Sequence, residues 1–346
     1  MAQGTVLITG VSGEIGHSLI EYLHGQNDCE IVGLDLSDLE ESFKNKCSFF
    51  QGSVLDADLI RQLTADYTFS SIYHLAGVLS TGGERNPLLA HQVNVNGSVN
   101  ILEIAREHSN RRGQPVTFLF PSTIAVYGIE SAEAKMKVGA IPENKFREPI
   151  TIYGINKRYV EQVGGYHLKN YHMLGNGNGN GSGNGSGEIR VDFRCIRFPG
   201  IISADTMPTG GTSDYGPEML HAAAQGNDYE CFVRPDSVLP FIAMPDAVQA
   251  LVKLANVPSE KLTQRIYNIT SFSPTAADIH KAVSEYFPGC QITYKPDVKR
   301  QSIVDSWPAD VDDHKARADW GWRPEYDFKS AFETYLVPRI KQRYGT

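Results

Sequence analysis

Residues 5–16 read TVLITGVSGEIG, and this stretch decides the fold. Residues 5–9 form a short β-branched run, the pattern of a strand buried on both faces. Gly10, Gly13 and Gly16 follow as a GxxGxxG turn. Residues 14–25 then place Ile15, Leu19, Ile20 and Leu23 at helical spacing. Residues 30–35 (EIVGLD) are a second strand, completing one βαβ unit. Residues without a Cβ let backbone amides approach a pyrophosphate at the helix N-terminus. Glycine triplets also mark ordinary turns, so the neighbouring residues carry the decision.

The alternation continues outward. Residues 47–51, 71–76, 116–120 and 191–197 read as strands, with helical patterns near 57–67, 86–109 and 152–172 between them. Strand alternating with helix predicts an α/β fold: a Rossmann doubly wound parallel sheet covered on both faces. Residues 175–187 read GNGNGNGSGNGSG, which cannot pack a core and is expected to be a flexible surface loop. From residue 199 the texture turns richer in Pro, Gly and aromatic residues. The expected organisation is a cofactor domain over 1–198 and a smaller substrate-binding lobe over 199–346, with segment 240–270 returning to the first domain.

The 346 residues are 41% hydrophobic and 21% charged, ordinary for a globular chain with a sizeable core. The net charge of −8 is spread along the sequence and argues against a nucleic-acid surface. The five cysteines lack metal-finger spacing, so no metal site is expected. No leader or bilayer-length apolar stretch is evident, so a cytoplasmic location is expected.

Asp35 ends the second strand, where a carboxylate accepts hydrogen bonds from adenosine ribose hydroxyls. It would repel a 2′-phosphate, and Leu36, Ser37 and Asp38 bring no cation, so NAD is expected over NADP. Asp56 fits an adenine contact and a helix N-cap, two roles that do not exclude each other. Tyr153 and Lys157 form a YxxxK pair on one helical face. An ammonium beside a phenol stabilises the phenolate and makes tyrosine a general base. Ser122 and Thr123, at the end of the strand before, are placed to hold a substrate hydroxyl. As bland alternatives, the pair is an amphipathic helix face and the hydroxyls are turn caps.

Together with Asp35, the stretches TGxxGxxG, HLAG (74–77), NVNGSVNIL (94–102), PSTIAVYG, YGINK and RFPG (197–200) resemble the extended short-chain dehydrogenase/reductase superfamily over nearly the whole chain. PTGGTSDYGPEML, VLPFIAMPDAVQAL, YNIT, SWP and WGWRPEYD are similar to the short-chain L-threonine 3-dehydrogenases, which are related in fold to UDP-galactose epimerase and need no zinc. Ser213 stands where a second threonine is commoner, and the Gly/Asn/Ser run is an insertion.

The resemblance implies NAD-dependent oxidation of the L-threonine β-hydroxyl to 2-amino-3-ketobutyrate. Tyr153 would be the base, Lys157 would hold the nicotinamide ribose, and Thr123 with Ser122 would position the hydroxyl. Gly10, Gly13, Glu14, Ile15, Gly16, Asp35, Leu36, Val54, Leu55, Asp56, His74, Leu75, Ala76, Asn94 and Pro199 would line the dinucleotide. Ser80, Thr212 and Ser213 are the candidates to grip the amino acid, with Trp307 closing over it; each also fits a turn hydroxyl or packed aromatic. A homodimer through the helices near 90–109 and 152–172 is implied as well.

Two rival readings remain at this stage. A nucleotide-sugar epimerase or dehydratase would need a second-lobe cation for a diphosphate, and Arg234 is the nearest substitute for the arginine missing beside Leu239 and Pro240. A non-catalytic dinucleotide sensor would usually lack the tyrosine or the lysine, and both are present.

Overall fold

A computed structural model describes residues 4–26, 29–169, 190–208 and 210–345. The run 175–187 lies outside the described residues. Seven parallel strands form the central sheet: β1 (Gly4–Thr9), β2 (Cys29–Asp35), β3 (Ser48–Gln51), β4 (Phe69–His74), β5 (Thr117–Thr123), β6 (Asp192–Phe198) and β7 (Ile266–Asn268). Their order is β7-β6-β5-β4-β1-β2-β3. The chain therefore reverses direction across the sheet between β1 and β4, and the carboxyl edge at that point is where open α/β sheets hold ligands.

The helices used below are α1 (Glu14–Gln26), α2 (Ala57–Asp66), α3 (Ser98–Arg112), α4 (Ile152–Lys169), α5 (Tyr215–Ala224), α6 (Met244–Asn256) and α7 (Val298–Ser306). Successive strand side chains point to opposite faces. In β1, Val6 and Ile8 join a core with Leu19 and Ile20 of α1 and Val248 and Leu251 of α6. Leu7 joins a second core on the other face, with Leu63 of α2, Ile101 and Leu102 of α3 and Val160 of α4.

The first core runs on into the later part of the chain, taking in Tyr215 and Met219 of α5 and Val304 of α7. Two small parallel pairs build that part, Gly200–Ile202 with Phe241–Ala243 and Tyr229–Cys231 with Ile292–Tyr294, and a third ties it to the segment before α4, Ala140–Ile141 with Asp310–Val311.

The helix expected over 86–109 is broken into segments. Asn86 caps a short helix at Leu89 N, with Pro87 in its first turn. A π-helical turn over Gln92–Gly97 then leads into α3. Such turns recur at functional sites, and this one carries Asn94.

Candidate active site

One cleft of about 530 Å³ runs along the carboxyl edge of the sheet. Its floor is the glycine turn. Gly10 has φ +73°, and a Cβ there would stand 2.5 Å from Ala76 N. A Cβ on Gly16 would meet the Val11 carbonyl. Any side chain at either place would displace the turn, so these glycines keep the α1 N-terminus open to a close-lying ligand.

Asp35 reaches the turn from β2. Its Oδ2 accepts from Ser12 N at 3.0 Å and its Oδ1 from Ser37 N at 2.9 Å. Two backbone donors hold the carboxylate in place, and each oxygen keeps acceptor capacity for a ribose. The nearby Lys44 is committed to Asp38 and Glu41.

Glu14 opens α1 on the cleft wall. Burial, with the charge of Asp214 nearby, pushes its carboxyl up to about 7, while the Thr206 hydroxyl pulls the other way. Asp214 faces the glycine turn from the later part of the chain and was missed in the sequence. The only signal was an acid just before α5.

Tyr153, Lys157 and Thr123 meet deeper in the cleft. A Cβ on Gly154 would strike the Ala125 carbonyl, so that glycine lets the start of α4 lie against the turn after β5. Thr123 hydrogen-bonds Tyr153 and also accepts from Ala125 N at 3.1 Å. Burial pushes the Tyr153 phenol up to about 12, opposed by the Thr123 bond. The Lys157 ammonium donates to Pro121 O at 2.8 Å and lies 4.5 Å from the Phe120 ring centre. Burial brings it down to about 8. It stands 5.8 Å from the Tyr153 ring centre, on the same helical face.

Gly13, Ile15, Leu36, Val54, Leu75, Ala76 and Pro199 also line the cleft, as do Ser80, Thr212, Ser213 and Trp307. Ser80 Oγ and Thr212 Oγ1 are 3.0 Å apart. Trp307 is buried, and its indole N–H has no partner among the described residues.

Five expected residues behave differently. His74 is fully buried, bonded to Thr9 Oγ1 at 2.7 Å and Ser98 Oγ at 2.9 Å, away from the cleft lining. Burial lowers it to about 3, so it is neutral and orients Thr9, whose hydroxyl accepts from Ala76 N. Asn94 clamps Val78, accepting from its N–H at 2.7 Å and donating to its carbonyl at 2.9 Å. It shapes the wall without lining it. Asp56 caps α2 through Asp58 N and Leu59 N. Neither it nor Leu55 lines the cleft. Ser122 lies on the wall, but its hydroxyl is given to Glu161 Oε1 at 2.7 Å.

The pattern of the NAD dependent epimerase/dehydratase family matches residues 6–270. The chain belongs to that family. NAD is therefore its cofactor, and the glycine floor and Asp35 fit that dinucleotide. This epimerase/dehydratase-family chain is 34% identical over 335 residues to the mitochondrial L-threonine 3-dehydrogenase of Bos taurus, spanning 96% of this chain and 82% of the relative. It is 31% identical to an uncharacterised epimerase/dehydratase of Staphylococcus haemolyticus, over 96% of each chain. A monomeric L-threonine 3-dehydrogenase from a metagenome superposes with a TM-score of 0.83 at 33% identity, covering 97% of this chain and 99% of that one. The Clostridium difficile L-threonine dehydrogenase superposes with a TM-score of 0.84 at 29% identity, covering 99% of each. The family member described here is an NAD-dependent oxidoreductase of the extended short-chain type acting on a small molecule. No helix among the described residues is long and apolar enough to cross a membrane.

Proposed function

We propose that this enzyme oxidises the β-hydroxyl of L-threonine to give 2-amino-3-ketobutyrate. The observation that carries the reading is the meeting of Thr123 and Tyr153 in a cleft whose single lining cation, among the described residues, is Lys157. Thr123 Oγ1 orients the substrate hydroxyl. Tyr153 Oη takes its proton, and the Lys157 ammonium beside it favours the phenolate. NAD, when bound, accepts the hydride released from the same carbon. Ser80, Thr212 and the Trp307 N–H offer donors to the polar end of the amino acid.

The epimerase reading is weaker for a physical reason. A nucleotide diphosphate needs a second-lobe cation, and Arg234 is committed to Asp305 at 2.9 Å and 3.0 Å and to Asp236 at 3.2 Å. A sensor would need neither base nor cation.

The same proposal gives residues 1–198 with segment 240–270 to cofactor binding and the rest of 199–346 to the substrate. It also includes a cytoplasmic location and a homodimer packed through α3 and α4. Ile155, Tyr159 and Tyr166 are exposed along α4, an apolar stripe such a contact would cover.

The test is NADH formation with L-threonine beside L-allo-threonine, L-serine and UDP-galactose. Turnover with L-threonine alone supports the reading. Conversion of the UDP-sugar without threonine oxidation overturns it.

A further inference from the structure

Three consecutive residues at the end of β5 each hold one residue of α4. Pro121 O accepts from the Lys157 ammonium, the Ser122 hydroxyl donates to Glu161, and Thr123 bonds Tyr153. Their partners, at positions 153, 157 and 161, are spaced one turn apart on one face of the helix. Two rungs of this ladder belong to the proposed chemistry. In the third the Ser122 hydroxyl is given to the buried Glu161 carboxylate, and this rung is built more heavily than either.

Glu161 is fully buried and receives four donors. Its Oε1 accepts from Ser122 at 2.7 Å and from Arg197 Nε at 2.8 Å. Its Oε2 accepts from Arg197 Nη2 at 2.6 Å and from Arg158 Nη1 at 3.2 Å. Arg197, on β6, is buried too, and its Nη1 donates to Tyr127 Oη at 2.9 Å and to Glu143 O at 2.7 Å. Tyr127 in turn donates to Asn268 Oδ1 on β7 at 2.7 Å. The junction thus joins α4 to β5, β6 and β7 just behind the cleft.

A buried ion pair is a poor device for stability, because desolvation offsets most of its attraction. It is a good device for fixing register, because any slip leaves a charge unpaired.

We propose that Glu161 is a positioning residue: held by Arg197, it locks the end of β5 against α4 so that Thr123 meets Tyr153 and the Lys157 side chain stays beside them. The step it serves rests on the threonine-oxidation reading above. Glu161 lies one turn beyond Lys157, and its charge acts to keep the ammonium protonated against burial. The other titratable groups around that ammonium are Tyr153 on its own helix, Cys195 on β6 and His74 on β4.

The test uses Glu161→Gln and Ser122→Ala in the full chain. Glu161→Gln keeps the shape but leaves Arg197 uncompensated, whereas Ser122→Ala keeps the ion pair and removes only the rung. We expect Glu161→Gln to lower kcat by at least about tenfold and Ser122→Ala by about fivefold, with KM for NAD changed less than about twofold. NMR titration of lysine-labelled protein, with Lys157→Met to assign the resonance, should show Lys157 in Glu161→Gln losing its proton at lower pH than in wild type. Wild-type kcat per folded molecule in Ser122→Ala, or an unmoved lysine titration in Glu161→Gln, overturns the proposal. If Glu161→Gln does not fold, Ser122→Ala decides. If the wild type oxidises no hydroxy amino acid, the function reading fails; the lysine titration, which needs no turnover, still decides the role of Glu161.

Discussion

Ser80 and Thr212 share a hydrogen bond of 3.0 Å although 132 residues separate them in the chain. Thr212 N also donates to Ser80 Oγ at 3.3 Å, so the contact is two-fold. It ties the segment after β4 to the Gly210–Asp214 loop, whose turn is held by Gly210 N and Gly211 N donating to Asp214. Arg300 of α7 supports the same loop by donating to Gly211 O at 2.7 Å. Replacing Ser80 by Ala should raise KM for threonine by about fivefold, the worth of roughly one hydrogen bond of ~1 kcal/mol. NAD affinity should not change. Steady-state kinetics with a parallel NAD titration reads both, and an unchanged KM would remove Ser80 from the substrate site.

Tyr153 gives a prediction with a sign. Burial holds the phenol at about 12, above its ordinary value, so in the free enzyme it is protonated at neutral pH. A base must lose that proton, and the ammonium beside it must keep its own, so kcat/KM should climb as pH rises from about 7 to about 8 and level off above that, where Lys157 loses its proton. Tyr153→Phe should lose at least about a thousandfold in kcat while binding NAD normally. A flat pH profile, or a Phe variant that still turns over well, would give the base role to another group.

Asp35 is the residue expected to set cofactor choice. Its carboxylate is anchored by Ser12 and Ser37, and the nearby Lys44 is committed to Asp38 and Glu41. Asp35→Asn should weaken NAD binding and narrow the preference over NADP by at least about tenfold, as the repulsion of a 2′-phosphate is removed. Binding titrations with both dinucleotides measure the ratio.

The apolar stripe on α4 predicts a concentration-dependent assembly. Tyr159→Glu places a charge at its centre, where Tyr159 is half exposed. The variant should elute as a monomer and retain NAD binding. Light scattering of a wild-type protein that is itself monomeric would discard the interface.

Much of this was legible in the sequence because the signals are local. The β-branched run 5–9, the glycine spacing and the i to i+4 step from Tyr153 to Lys157 each lie within a few residues, and short-range sterics enforce them. Side-chain direction at a strand end is different. Ser122 and Thr123 are neighbours and both carry hydroxyls, yet one serves a buried carboxylate on α4 and the other the cleft. What separates them is Arg197, on a strand more than seventy residues later, and nothing near Ser122 announces it. His74 and Asn94 follow the same rule: their partners, Ser98 and Val78, choose which way they face. Asp56 suits two compatible roles, and its Oδ1 takes up one of them by capping the exposed amides at the start of α2.

The outermost position of β7 has a consequence for biosynthesis. The sheet edge at β6 is closed by residues 266–268, which leave the ribosome long after Asp192–Phe198. Until then the nascent chain carries a bare ladder of amides and carbonyls, open to pairing with another molecule. Asn268 also anchors Tyr127, and through it Arg197. The cleft end of β5 therefore cannot be fully braced in any truncated translation product that stops short of this strand, and such products are expected to aggregate.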